Sequence, residues 1–382
     1  MLLSANLFNL SILYKMNKLL VSIVVFLSSF MQLYLFGQDQ KSIVMQKTNR
    51  EKIKAVYGFS SELSYFKDKS NSEIVSLLKE WNVNTIFGGY QDEDLVEQLH
   101  QSGIKVFAEV SFFSGQKWWR KYPNSRPITA DGKRLEKEEW YAGVTPTDRD
   151  VFNNVLKRID HIITSTAIDG IWLDFFRWPC HWESPQPNFY QTSFDDRTVD
   201  LFLKLKHISI PKNIINPLER NKWILKEKLD FWTDFKCDQI IQLSREVRNF
   251  VKAKNKNIII GLFNIPWTDE DFDGALKKII GQDLARLASY IDIFSPMVYH
   301  ALCGQAEQWA EKITGYVYHK TGKPVLPIVQ SVDIPRKITA IEFENVLKYS
   351  INVRGSNGII IFNLKGINND KLEKMIMIFG QN

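Results

Sequence analysis

The run that decides the fold is Ile168-Asp169-Gly170-Ile171-Trp172-Leu173-Asp174-Phe175-Phe176-Arg177-Trp178-Pro179. Its apolar centre has the length of a strand. A period of two puts Trp172 and Asp174 on one face and Ile171 and Leu173 on the other. Both faces are apolar up to Asp174, as in a parallel strand covered by helices. A carboxylate in such a run costs several kcal/mol if left unpaired, so Asp174 needs either a partner or a function. An ion pair with Arg177 is the structural alternative.

Outward from this strand the same grammar recurs: a short apolar run, a polar loop, then a stretch with helical spacing. Strands are predicted at 55–59, 85–88, 105–110, 170–175, 258–263, 291–297, 325–329 and 358–363. Amphipathic helices are predicted at 71–81, 92–102, 148–165, 222–252, 283–289, 305–321 and 339–353. In the fourth of these, Trp232, Phe235, Gln239, Leu243, Val247 and Phe250 recur at steps of three and four, which gives one mainly apolar face. Eight such units predict an α/β fold, a single (β/α)8 barrel over 54–382, in preference to an open doubly wound sheet. The 46 residues from Trp178 to Trp223 carry five prolines and read as a long irregular loop after the fourth strand.

The composition is that of a packed protein: 45% hydrophobic, 13% aromatic and 24% charged over 382 residues. Collagen-like, low-complexity and wholly disordered classes are excluded. Leu19 to Phe36 is almost wholly apolar, follows Lys15 and Lys18, and lacks acids. With Gly37 it reads as a signal peptide over 1–37, translated from Met1 or Met16, with 38–53 as a linker and an exported, periplasmic or extracellular product. A retained membrane anchor is the alternative, because the run reaches the roughly 18 residues that cross a bilayer. Without residues 1–37, 47 Lys+Arg face 43 Asp+Glu with no basic run; this is not a nucleic-acid-binding balance.

Two stretches carry a resemblance. Leu173-Asp-Phe-Phe-Arg-Trp-Pro179 resembles the Phe-Asp-Tyr-Ile-Arg-Phe-Pro signature of glycoside-hydrolase-like barrel proteins, and Ser295-Pro-Met-Val-Tyr299 is similar to their sixth-strand element. The fourth strand also resembles the family 18 chitinase motif at Asp169, Gly170 and Asp174. Phe176 stands where that family has its essential glutamate, so its mechanism is rejected. The resemblance implies a TIM barrel that cleaves glycosidic bonds in an oligo- or polysaccharide, with Asp174 at the position of a strand-four nucleophile. A retaining outcome is expected. The alternative is a catalytically inactive carbohydrate-binding barrel.

Glycosidases need a second carboxyl group. Glu109, within the third strand, is the first choice; its structural alternative is a buried partner for a cation. Asp269 and Glu270 follow the fifth strand, where acids also favour a helix N-terminus. Glu183 comes last, because its loop reads as flexible. Arg177, Asn264, Tyr299, His300, Gln330 and Asn363 stand at strand ends as candidates to bind sugar hydroxyls. Trp118, Trp178, Trp182 and Trp267 fall on the same predicted rim, where indole faces suit pyranose rings, although tryptophan is equally good core material.

No cofactor or metal is expected, since phosphate-loop, zinc-protease, serine-hydrolase and paired-cysteine patterns are all missing. Cys180, Cys237 and Cys303 lack metal-ligand spacing. A Cys180–Cys237 disulfide and burial as small hydrophobes both remain open.

Overall fold

The computed structural model describes residues 51–381, so the predicted signal peptide and most of the linker lie outside the described residues. Eight parallel strands close a barrel in chain order: β1 (Ile53–Phe59), β2 (Thr85–Gly88), β3 (Lys105–Ser111), β4 (Gly170–Asp174), β5 (Ile259–Asn264), β6 (Ile293–Val298), β7 (Ile328–Gln330) and β8 (Gly358–Phe362). Closure comes from β8 pairing with β1, from Ile53 opposite Gly358 to Val56 opposite Ile361. This is the (β/α)8 architecture.

The alternation read from β4 holds in space. Trp172 fills the barrel interior, fully buried, stacked on Phe107 at 4.4 Å and edge-on to Phe87 at 5.1 Å. It fits because β5 presents Gly261 opposite: a Cβ there would lie 2.1 Å from the indole. The indole N–H donates to Ser295 Oγ at 2.9 Å, so the one polar atom of this plug is satisfied. Truncating Trp172 to alanine would cost about 3–5 kcal/mol.

Two of the boundaries that differ from the prediction have a local cause. β4 ends at Asp174, because Phe175 adopts φ +49 and its N–H turns back to Asp174 Oδ1 at 2.8 Å. The predicted helix over 222–252 is two helices, Pro217–Glu227 and Leu229–Lys254, broken at Lys228 with φ −133.

The segment read as irregular also contains the helix Asp196–Leu205, capped by Asp195 on the Thr198 N–H and buried along Val199 and Phe202. Its cap and spacing were legible; the neighbouring prolines concealed them. Helices at Gln116–Lys121, Ala275–Lys278 and Asn369–Gly380 also go beyond the prediction.

All three cysteines are free and buried, which rules out the Cys180–Cys237 bridge. The Cys180 and Cys237 thiols point at separate carbonyls, Asn188 O at 3.8 Å and Lys277 O at 3.9 Å. Among the described residues no helix is long and apolar enough to cross a membrane, and no group of three acids, histidines or cysteines could hold a metal.

Candidate active site

The C-terminal mouth of the barrel gathers three carboxyl groups at different depths. Glu109 on β3 lies opposite Trp172 in the register, and Ser111 lies opposite Asp174; Glu109 is therefore one pleat deeper than Asp174. Both are half-buried. Tyr57 on β1 donates its hydroxyl to Glu109 Oε2 at 2.8 Å.

Burial raises the Asp174 pKa well above the usual carboxylate range, and the Glu109 charge raises it further. The Phe175 N–H and the Arg177 charge oppose this without overcoming it. Two like charges in one cup hold a proton that isolated carboxylates would release. The Tyr57 hydroxyl, desolvated and facing both carboxyls, is pushed far up and stays protonated.

Glu183 hangs over this pair from the loop after β4. Burial pushes its pKa up to about 7, with Arg177 offsetting part of the rise. Its Oε2 has no hydrogen-bond partner among the described residues and lies 3.6 Å from His181 Nε2, whose Nδ1 is 3.8 Å from Glu138 Oε2. The imidazole is stacked on Tyr141 at 5.8 Å and lies edge-on to Trp140 at 5.4 Å.

Above these groups opens a cleft of about 880 Å³ whose lining includes Trp140, His181, Glu183, Tyr299, Phe362 and Asn363. Trp140 is 52% exposed and is the free aromatic face of the rim. Tyr299, buried, stacks between Phe362 at 4.7 Å and Trp182 at 5.8 Å; burial first, then the Glu183 and Asp174 charges, raise its pKa.

Several sequence candidates stand elsewhere. Arg177 is buried and spends its donors on Cys180 O at 2.7 Å, Trp178 O at 3.3 Å and Tyr141 Oη at 3.4 Å, not on Asp174. It braces the loop that carries Glu183. Trp178 is no rim residue: it is fully buried and donates to Lys236 O at 3.0 Å. Trp118 is buried against Tyr122, and Trp267 against Phe189 and Phe272. Trp182 reaches the site only as the backing of Tyr299.

Asp269 pairs with Lys320 at 2.6 Å, and that contact and the charge of Lys277 outweigh burial to hold its pKa low. Exposed Glu270 flanks the short turn Asp271–Asp273 and makes no capping hydrogen bond to it. His300, fully buried, meets Glu342 at 2.9 Å. Gln330 and Asn264, also buried, bond to loop backbone: Gln330 accepts from Leu302 N, and Asn264 donates to Ile265 O at 3.1 Å. Asn363 lines the cleft while its Oδ1 caps the Gly366 N–H at 3.0 Å.

Sequence reasoning passed over Tyr57, Glu138, Trp140 and Tyr141. Tyr57 carried a signal, as the one hydroxyl in the predicted first strand. The other three sit in a loop without periodicity, and nothing local marks them.

The family described as "Putative glycosyl hydrolase domain" matches residues 70–324. No curated protein sequence matches the chain. Among solved structures, the PgaB (BpsB) glycoside hydrolase domain from Bordetella bronchiseptica superposes with TM-score 0.61 at 12% identity, covering 86% of this chain and 98% of that one. The β-galactosidase of the psychrophilic Marinomonas ef1 gives 0.61 at 9% identity, covering 86% and 59%. That of the Antarctic haloarchaeon Halorubrum lacusprofundi gives 0.59 at 8%, covering 86% and 57%. The chain thus spans under two thirds of either galactosidase. At these identities the likeness is one of fold.

Proposed function

The chain belongs to the glycosyl hydrolase family whose match spans residues 70–324, and from that premise we propose that it hydrolyses glycosidic bonds with Asp174 and Glu183 as the working pair. Asp174 is the carboxylate that meets the anomeric carbon, as nucleophile or charge stabiliser. Glu183, not Glu109, is the acid/base. The observation that carries this is the Glu183 carboxyl itself: on the cleft wall, with its Oε2 lacking a hydrogen-bond partner, and with a pKa pushed up to about 7. A general acid works best with a pKa near the operating pH. Neither Glu109 nor Asp174 is among the residues lining the cleft, and both lie beneath it; Glu109, engaged by Tyr57, serves to set the proton affinity of Asp174.

In this reading Glu183 protonates the leaving oxygen, positive charge develops at the sugar ring, and Asp174 meets it. The step needs Asp174 ionised while Glu183 carries the proton, so the proton that Glu109 and burial favour on Asp174 is first released to solvent, and the positive charge developing at the ring then stabilises the bare carboxylate. Retention of configuration follows if Asp174 attacks directly, inversion if it activates a water. Export of the mature chain is part of the proposal and rests on the apolar run 19–36.

The test is release of reducing ends from a glycan panel, with NMR of the first-formed anomer. Wild-type turnover that vanishes in Asp174→Asn supports the reading. Binding without turnover in the wild type would make the protein a carbohydrate-binding barrel instead.

A further inference from the structure

We propose that a second, aromatic-walled subsite beside the cleft binds sugar units remote from the reacting bond, so that the ligand is a long polysaccharide chain and not a terminal sugar. This rests on the reading above and extends it to the length of the substrate.

The cleft has a neighbour across Glu138. A second hollow of about 460 Å³ lies between the loops after β3 and β4, lined by Thr129, Lys133, Arg134, Phe189 and Tyr190, and Glu138 lines both spaces. The cleft alone has the volume of a typical small-ligand site, about 300–1,000 Å³. A substrate confined to it would leave the adjoining hollow without an occupant.

Phe189, which lines that hollow, is 40% exposed, and Phe272, just outside its lining, is 41% exposed; their centroids are 5.4 Å apart, and both lean on buried Trp267 at 5.7 and 5.0 Å. Clustered exposed rings mark binding surfaces more often than chance. Phe272 is held at φ +52, ψ 45, a left-handed conformation unfavourable for a residue with a bulky side chain.

The turn carrying it is fastened on both sides. The Thr268 N–H donates to Asp271 Oδ2 at 2.7 Å, Asp269 pairs with Lys320 at 2.6 Å, and Asp273 pairs with Lys278 at 2.7 Å. A strained, fastened turn that points an aromatic ring at solvent is preorganised for a ligand. The flat C–H face of a pyranose ring matches the Phe189 phenyl, and Arg134, Tyr190 and the Lys133–Asp131 pair at 3.0 Å offer polar contacts to hydroxyls. Asp269 thus acts through the loop it anchors.

The test is retardation in native gels cast with neutral β-1,4-galactan, cationic chitosan or anionic alginate. Wild type, Phe189→Ala, Phe272→Gly and Phe231→Ala are compared; Phe231 is a 49% exposed phenyl on the distant helix Leu229–Lys254. Glycine is at ease at φ +52, so Phe272→Gly keeps the fold. The expected result is retardation of the wild type by at least one polymer, weakened tenfold or more in Phe189→Ala and Phe272→Gly and preserved in Phe231→Ala. Where that polymer is cut, kcat/KM falls at least tenfold more on the polymer than on its trisaccharide. Retardation by none of the three polymers, equal losses on long and short substrates, or the same loss in Phe231→Ala would overturn the subsite. Phenyl-dependent retardation without any cutting supports it while removing the hydrolase reading.

Discussion

Asp292 and Asp174 show what the two ends of one barrel do with the same side chain. Asp292 stands at the N-terminal entry of β6. It accepts from the Ile260 N–H at 3.0 Å and pairs with Arg248 at 2.7 Å and Lys252 at 3.1 Å. Burial would raise its pKa, but these partners hold it below the usual range. Asp169, just before β4, is satisfied in the same way by the Val106 N–H at 2.8 Å and His100 at 2.9 Å. Asp174, at the far end of β4, has one N–H donor and a carboxylate neighbour, and its pKa goes up. The bottom of the barrel uses acids to join strands; the top keeps one in discomfort. That division is expected of the fold, where stability resides at the N-terminal face and chemistry at the C-terminal face.

The contrast breaks first at Asp174→Asn. Activity should fall by roughly 10⁴ or more if this carboxylate meets the reacting carbon. An acid whose native pKa is raised destabilises the fold above its unfolded value, near 3.9, and the penalty grows until the native pKa is passed. The asparagine variant should therefore melt at or above the wild-type temperature at pH 7, with no gain near pH 3. A fall in melting temperature at pH 7 would put Asp174 in the structural class of Asp292.

Next is Glu183→Gln, expected to lose about 10² to 10⁴ in kcat/KM. The basic limb of the wild-type pH profile should lie at about 7 and vanish in the variant. A dinitrophenyl glycoside, whose leaving group needs no proton, should recover most of the loss. Failure to recover would remove Glu183 from the acid role.

Asp292→Asn is expected to cost about 1–3 kcal/mol at pH 7, read by urea unfolding, while turnover per folded molecule stays unchanged. Its sign is opposite to that of Asp174: a lowered pKa stabilises above the unfolded value, and the contribution is lost as pH falls through the native pKa. Smallest is Glu109→Gln. Removing that charge lowers the proton affinity of Asp174, so the acidic limb of the pH profile should move to lower pH. An unmoved limb would uncouple the two carboxyls.

The fold was legible because period-two apolar runs and capped helices are local properties. Each strand pairs with its neighbour in chain order, which needs no long-range information. Asp174 was legible for a related reason, as a lone charge in an apolar strand. Glu183 was ranked last because a loop residue acquires its burial only from other loops: Trp182 against Tyr299, and Arg177 reaching to Cys180 O. The tryptophans misled in the opposite direction. A ring beyond a strand end faces the mouth or the helix layer according to loop path, and Trp178 took the second course, onto Lys236 O and Phe235.

Trp172, lodged against Gly261 beneath the acids, closes the barrel from below and leaves a blind cup. On the proposed hydrolysis, departing sugar and arriving water would pass through one door in turn. If Asp174 forms a glycosyl-enzyme as proposed, an alcohol that enters the doorway ahead of water becomes an acceptor, and the cup that serves cleavage then leaves room for resynthesis.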